Sequence, residues 1–106
     1  VEIINSKSAD FNEDGRRDMA IIANIDSGGS GNFRHLFLLG NDGQNLIEKD
    51  NIFLGDRIKV TDLKSENSQI SVNYLDRAKT DSFAVKPHIK EEKHFKVQDM
   101  KLVPLF

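Results

Sequence analysis

The sequence predicts an all-β domain: a small antiparallel sheet or sandwich built from hairpins, with little helix. Three observations lead there. Short apolar runs recur at roughly 8–15-residue intervals, the spacing of strands in an all-β chain. Polar clusters rich in Gly, Asn, Asp and Ser separate them. No stretch keeps the apolar period of an amphipathic helix; the best candidate, residues 86–94, contains Pro87 and many charges.

Taken in order, residues 1–6 predict a short strand around Ile3 and Ile4. An acidic loop follows. Met19 to Ile25 is apolar on both faces and of strand length, which suits a central strand. Ser27-Gly28-Gly29-Ser30-Gly31-Asn32 breaks it, and Phe33 to Leu39 returns as the second arm of a hairpin. Asn41-Asp42-Gly43 suits the positive φ angles of a tight turn, after which Leu46 to Leu54 forms a return strand. Ile58-Lys59-Val60-Thr61 and Ile70-Ser71-Val72-Asn73-Tyr74 alternate apolar with polar residues. They predict a half-buried hairpin, joined by a polar turn over 64–69, with Ile58, Val60, Ile70, Val72 and Tyr74 facing the core. Phe83-Ala84-Val85 and Phe95-Lys96-Val97 predict two more short strands, with Pro87 between them kept out of any central ladder. Met100, Leu102, Val103 and Leu105 close the chain.

Composition bounds the possible functions. A chain of 106 residues predicts one domain, residues 1–106, with one modest core. With 15 Lys and Arg against 17 Asp and Glu, the net charge is −2 and the basic residues are scattered among acids. No nucleic-acid partner is therefore expected, since that would need clustered surplus cations. No cysteine is present, which excludes disulfides, thiolate zinc sites and thiol catalysis. No apolar run approaches the ~18–20 residues needed to cross a bilayer as a helix, so no transmembrane segment is expected. Val1 to Asn5 lacks the basic flank and long apolar stretch of a signal peptide.

The chemistry concentrates in Asp10-Phe11-Asn12-Glu13-Asp14-Gly15-Arg16-Arg17-Asp18. Asp10, Asn12 and Asp14 fall on alternate residues, which converge when a loop curls around a centre. Gly15 permits the sharp turn, the Arg16 carbonyl is expected to face inward with its side chain turned away, and Asp18 closes the ring. Such a set of oxygen donors suits a hard cation, and Ca²⁺ is the expected ligand. An EF-hand is a poor match. Its twelfth position should be a bidentate Glu, here Ile21, and its flanks should be helices.

Residues 9–21, Ala9-Asp10-Phe11-Asn12-Glu13-Asp14-Gly15-Arg16-Arg17-Asp18-Met19-Ala20-Ile21, closely resemble one FG-GAP repeat of the integrin-type propellers, whose calcium loop links two strands. The resemblance implies Ca²⁺ held by Asp10, Asn12, Asp14, the Arg16 carbonyl and Asp18. A full propeller is excluded by length. The order of the acidic loop, the Gly28–Phe33 segment, Leu54-Gly55-Asp56-Arg57 and a Val/Tyr strand is also similar to an uncharacterised domain of bacterial exported proteins and lipoproteins. That similarity implies an extracytoplasmic location, in the periplasm, at the cell surface or secreted. The chain departs from it near residues 80–88, where cysteines and a proline-rich turn are expected.

Other candidates are weaker. The glycine run lacks the Gly-Lys-Ser/Thr ending of a phosphate loop. His35, His88 and His94 do not share metal-ligand spacing, and no nucleophile elbow accompanies Ser27, Ser30 or Ser82. Asp56 and Arg57 are expected to close a turn as an ion pair. The leading expectation is a calcium-stabilised, non-enzymatic binding module with a protein or glycan partner. The alternatives are a small hydrolase or enzyme inhibitor, and a structural spacer. A binding module should expose an apolar or aromatic patch, an enzyme should gather titratable groups in a cleft, and a spacer should do neither.

Overall fold

The structure is a computed structural model that describes residues 2–25, 33–78, 80–82 and 84–105. Strands β1 (Glu2–Ala9), β2 (Asp18–Ile25), β3 (Phe33–Asn41) and β4 (Leu46–Asp56) form one antiparallel sheet in that order. Strands β5 (Lys59–Glu66), β6 (Gln69–Asp76), β7 (Ile89–Gln98) and β8 (Lys101–Leu105) form a second in the same way. Among the described residues each strand pairs in its ladder only with its neighbours in sequence, as expected of a chain assembled from hairpins. The described residues contain no helix.

The two sheets pack together, with β1 against β5 and β4 against β8. Ala20, Ile22, Leu36, Leu38 and Leu54 line the inner side of the first sheet. Leu63, Ile70, Val72, Tyr74, Phe95, Val97 and Leu102 meet them from the second. Truncating one of these, as in Leu36→Ala, costs about 2–5 kcal/mol, because lost transfer energy adds to the cavity left behind. Polar contacts also cross between the layers. Lys93 Nζ donates to the Leu54 carbonyl at 3.2 Å, and Asp50 Oδ2 accepts the Leu102 amide at 2.8 Å.

The expected hairpin of β5 and β6 is present, but its turn is shorter than the polar stretch suggested. β5 runs on to Glu66 and the turn is Asn67-Ser68, with Asn67 at φ 55°. Polar residues at 64–66 remain in the ladder because β5 is an edge strand with a solvent-facing side. Ile58, Ile70, Val72 and Tyr74 are buried, and Val60 packs partly against them. A register shift between Val60 and Asp62 then reverses the parity of β5, so odd-numbered Leu63 also reaches the core.

Of two further elements, the first turns as expected and the second does not form among the described residues. The Asn41-Asp42-Gly43 turn spans residues 42–45: the Asp42 amide donates to the Asn45 carbonyl at 3.1 Å, and Gly43 sits at φ 96°. The strand expected at Phe83-Ala84-Val85 does not form over the described part of that segment (Phe83 lies outside it). Ala84 and Val85 lie in a turn whose Val85 amide donates to the Ser82 carbonyl at 3.1 Å. Arg77 Nε takes the Val85 carbonyl, an acceptor that a ladder would need. Phe95 to Val97 lies inside β7. Pro104 is accommodated because β8 is an edge strand. The glycine run at 27–32 lies outside the described residues.

Candidate metal centre

The acidic loop joins the end of β1 to the start of β2, so its ends are held by the Ala9–Asp18 rung of the ladder. Between them the chain reverses through Glu13 at φ 57° and Gly15 at φ 83°. Positive φ is cheap for glycine and uncommon for other residues, so Gly15 belongs here on conformational grounds alone. The Asp10 carboxylate draws the loop inward. Its Oδ1 accepts the Asp14 amide at 3.2 Å and its Oδ2 the Gly15 amide at 2.9 Å. Asp14 Oδ1 accepts the Arg16 amide at 2.8 Å.

Phe11 is buried at 2% exposure and belongs to the core. The Ser68 hydroxyl donates to its carbonyl at 3.2 Å, and Asp18 Oδ2 accepts its amide at 3.1 Å. Asp18 is itself only 1% exposed, and its other oxygen accepts the Asn41 amide at 2.9 Å. The loop is therefore nailed to the molecule by an apolar side chain and a buried carboxylate. An isolated aromatic inside an acidic stretch was the signal available for Phe11. No sequence signal marked Asp18 as a clamp on Asn41.

Asn12 and Asp14 look onto a shallow groove of about 230 Å³, shared with Gly40, Asn41, Asp42, Lys49 and Met100. The Arg16 side chain leaves the loop and lies over the β3–β4 turn, where a Cβ on Gly43 would meet its guanidinium carbon at 3.2 Å. Asp42 is held below the usual carboxylate value of 3.8, chiefly by accepting the Asn45 and Gln44 amides, with a smaller contribution from Arg16. Arg17 is directed to the other strand, with Nε donating to Ser8 Oγ at 3.0 Å.

The sequence-predicted ligands thus divide into two groups. The Asp10 carboxylate accepts the Asp14 backbone amide within one turn, the Asp14 carboxylate accepts the Arg16 amide, and Asn12 lines the same groove as Asp14. Asp18 is turned towards the backbone of Phe11 and Asn41. Among the described residues no three His, Asp or Glu side chains converge as a metal set. The donor chemistry, oxygen without nitrogen or sulfur, fits a hard cation. The convergence of carboxylates is only partial.

The remaining candidates are dispersed. His88 Nε2 is 2.9 Å from Asp81 Oδ2, and His94 Nε2 is 3.0 Å from Glu92 Oε1. His35 packs between Phe37 and Phe53, with ring centroids at 5.9 and 5.4 Å. Ser82 Oγ accepts the Ala84 amide. Asp56 and Arg57 form the expected ion pair at 3.2 Å, with Arg57 at φ 54°. Comparison with protein-family profiles, curated proteins and solved structures found no match.

Proposed function

We propose that this domain is a calcium-stabilised, non-enzymatic binding module of an exported bacterial protein. The observation that carries the ion assignment is the D-x-N-x-D-G-x-x-D spacing placed between two adjacent antiparallel strands, with Gly15 at positive φ. The ion would be held by the side-chain oxygens of Asp10, Asn12, Asp14 and Asp18 and by the Arg16 carbonyl. β1 to β4 also form a four-stranded meander, the sheet size of a propeller blade, with the loop between its first two strands. A site of this kind binds at about 10⁻⁴–10⁻³ M in extracellular modules, which accords with an extracytoplasmic setting.

The binding-module reading is supported by exposed apolar residues on the first sheet, among them Ile3 and Phe53. Among the described residues the exposed large apolar side chains are mostly aliphatic, which favours a protein partner over a glycan. The hydrolase alternative would gain support from a cleft gathering His, Asp and Ser, and the described histidines lie apart.

One observation favours a second reading of the loop. Asp18 already has a structural task in holding two amides, so the loop also serves as an ion-free clamp. Calorimetric titration with Ca²⁺ and with Mg²⁺ separates the two. Heat on adding Ca²⁺ that disappears in Asp14→Ala supports the ion. A flat titration at millimolar Ca²⁺ leaves the clamp alone.

A further inference from the structure

The first sheet is apolar on both faces. Its even-numbered residues on β2 and β3, including Ile22 and Leu36, fill the core. Its odd-numbered residues face away from that core. Met19 lies opposite Leu39, Ile21 opposite Phe37 and Ala23 opposite His35. Phe53 continues the Ala23–His35 row on β4, and Ile3 starts it on β1. Polar side chains enter this face at its margins, through Ser6, Ser8, Asn51 and Glu48. The outer face of the second sheet is mixed, with Ser71 and Asn73 on β6 and Lys90, Glu92, His94 and Lys96 on β7 interspersed with Leu75, Val103 and Leu105. A sheet normally solvates one face and buries the other; the first sheet presents apolar residues on both.

We propose that this face binds a second copy of the chain. Three observations select that occupant. The first is shape. A groove of about 290 Å³ is lined by Ile3, Ile21, Ala23, Phe37, Leu39 and Glu48. Phe53 on β4 is 50% exposed; its ring packs on His35 at 5.4 Å and borders a separate groove with Ile52, His94 and Leu105. The second is register. A two-fold axis lying in the interface along β3 sets β4 of one copy over β2 of the other at the same height. Phe53 shares its row with Ala23, so it lies over the groove of the other copy, and the reciprocal contact follows by symmetry. Phe37 then meets its symmetry mate near the centre, where interface energy concentrates. The resulting sheets are aligned, a preferred packing of two twisted sheets. The third is area. Four strands at ~4.8 Å spacing and about eight residues at ~3.4 Å give a footprint of roughly 500 Å² per copy. Two such footprints total roughly 1,000 Å², the threshold of a specific interface, where contacts are weak and transient, so association is sought in the micromolar range.

The inference rests on the binding-module reading and does not require the ion. Sedimentation velocity over about 1–500 µM tests it, a range that brackets a micromolar constant. The expected result is a concentration-dependent shift to twice the chain's 12.0 kDa. Phe53→Glu and Ile3→Glu, both at exposed positions that should tolerate the change, are each expected to weaken association at least ~10-fold. Lys90→Glu, on the outer face of the second sheet, is expected to leave it unchanged. A monomer throughout the range, with the face free to bind an apolar dye, overturns the proposal. So does a dimer indifferent to both Phe53→Glu and Ile3→Glu. A calcium response without association removes this inference alone, and association without a calcium response removes the ion alone.

Discussion

The Asn41 amide donates to Asp18 Oδ1 at 2.9 Å, across 23 residues of chain, while the Asn41 side chain donates to the Arg17 carbonyl at 3.0 Å. The start of β2 and the end of β3 are thus locked by a carboxylate that also holds the Phe11 amide. Asp18→Ala removes the acceptor of two sheltered amides and is expected to cost roughly 2–5 kcal/mol even in EDTA, where no ion contributes. Asp18→Asn keeps one acceptor oxygen and should lose about half as much. Urea midpoints of the three proteins check the order.

Asp14 has a lighter structural task, since it accepts a single exposed amide. Asp14→Ala should therefore cost no more than about 0.5–1.5 kcal/mol in EDTA. In saturating Ca²⁺ the difference should widen. An ion at ~100 times its dissociation constant adds about 2.7 kcal/mol, roughly 10–20 °C in melting temperature for a domain of this size. Scanning calorimetry of both proteins in EDTA and in Ca²⁺ measures the gap, and equal melting in the two buffers would sink the ion assignment.

Gly55 sits against the Ile58 side chain. A Cβ at this position would lie 2.7 Å from Ile58 Cγ2, inside van der Waals contact, and Ile58 is buried. Gly55→Ala is expected to destabilise by about 1–3 kcal/mol through overpacking. Made in an Ile58→Ala background, the same change should cost much less, a coupling that a double-mutant cycle reads directly.

Asp81 is held below the ordinary carboxylate value of 3.8, first by its hydrogen bond with His88 and then by the Ala78 amide. The sign follows from that direction. A depressed carboxylate contributes stability that is fully present above its unfolded value and is lost as pH falls through the lower folded value. His88→Ala should raise the Asp81 titration midpoint towards 3.8 in a carboxyl NMR experiment.

Much of the architecture was legible because the apolar pattern of a strand reports which of its faces meet other apolar groups. The stretch from Met19 to Ile25 is apolar on both faces, and β2 does lie between two neighbours with one face in the core. Ile70, Val72 and Tyr74 point inward as their spacing required. The failures have local causes. The bulge between Val60 and Asp62 inverts parity, which no periodic pattern anticipates. Phe83-Ala84-Val85 has strand composition, yet Arg77 recruits the Val85 carbonyl from a distance in sequence. At the acidic loop, spacing picks out the proposed donors Asp10, Asn12, Asp14 and Asp18. Phe11 and Asp18 as anchors emerged only when the strands β2 and β3 were brought side by side.

Pairing confined to sequence neighbours has a kinetic consequence. Each hairpin of either meander can close by a short search, so neither sheet waits on a distant segment of chain. The contacts expected to form last are those between the two sheets, on either side of the Asp56–Ile58 corner. Changes such as Leu36→Ala or Phe95→Ala should therefore act chiefly on the speed at which the halves part, and little on the speed at which each zips.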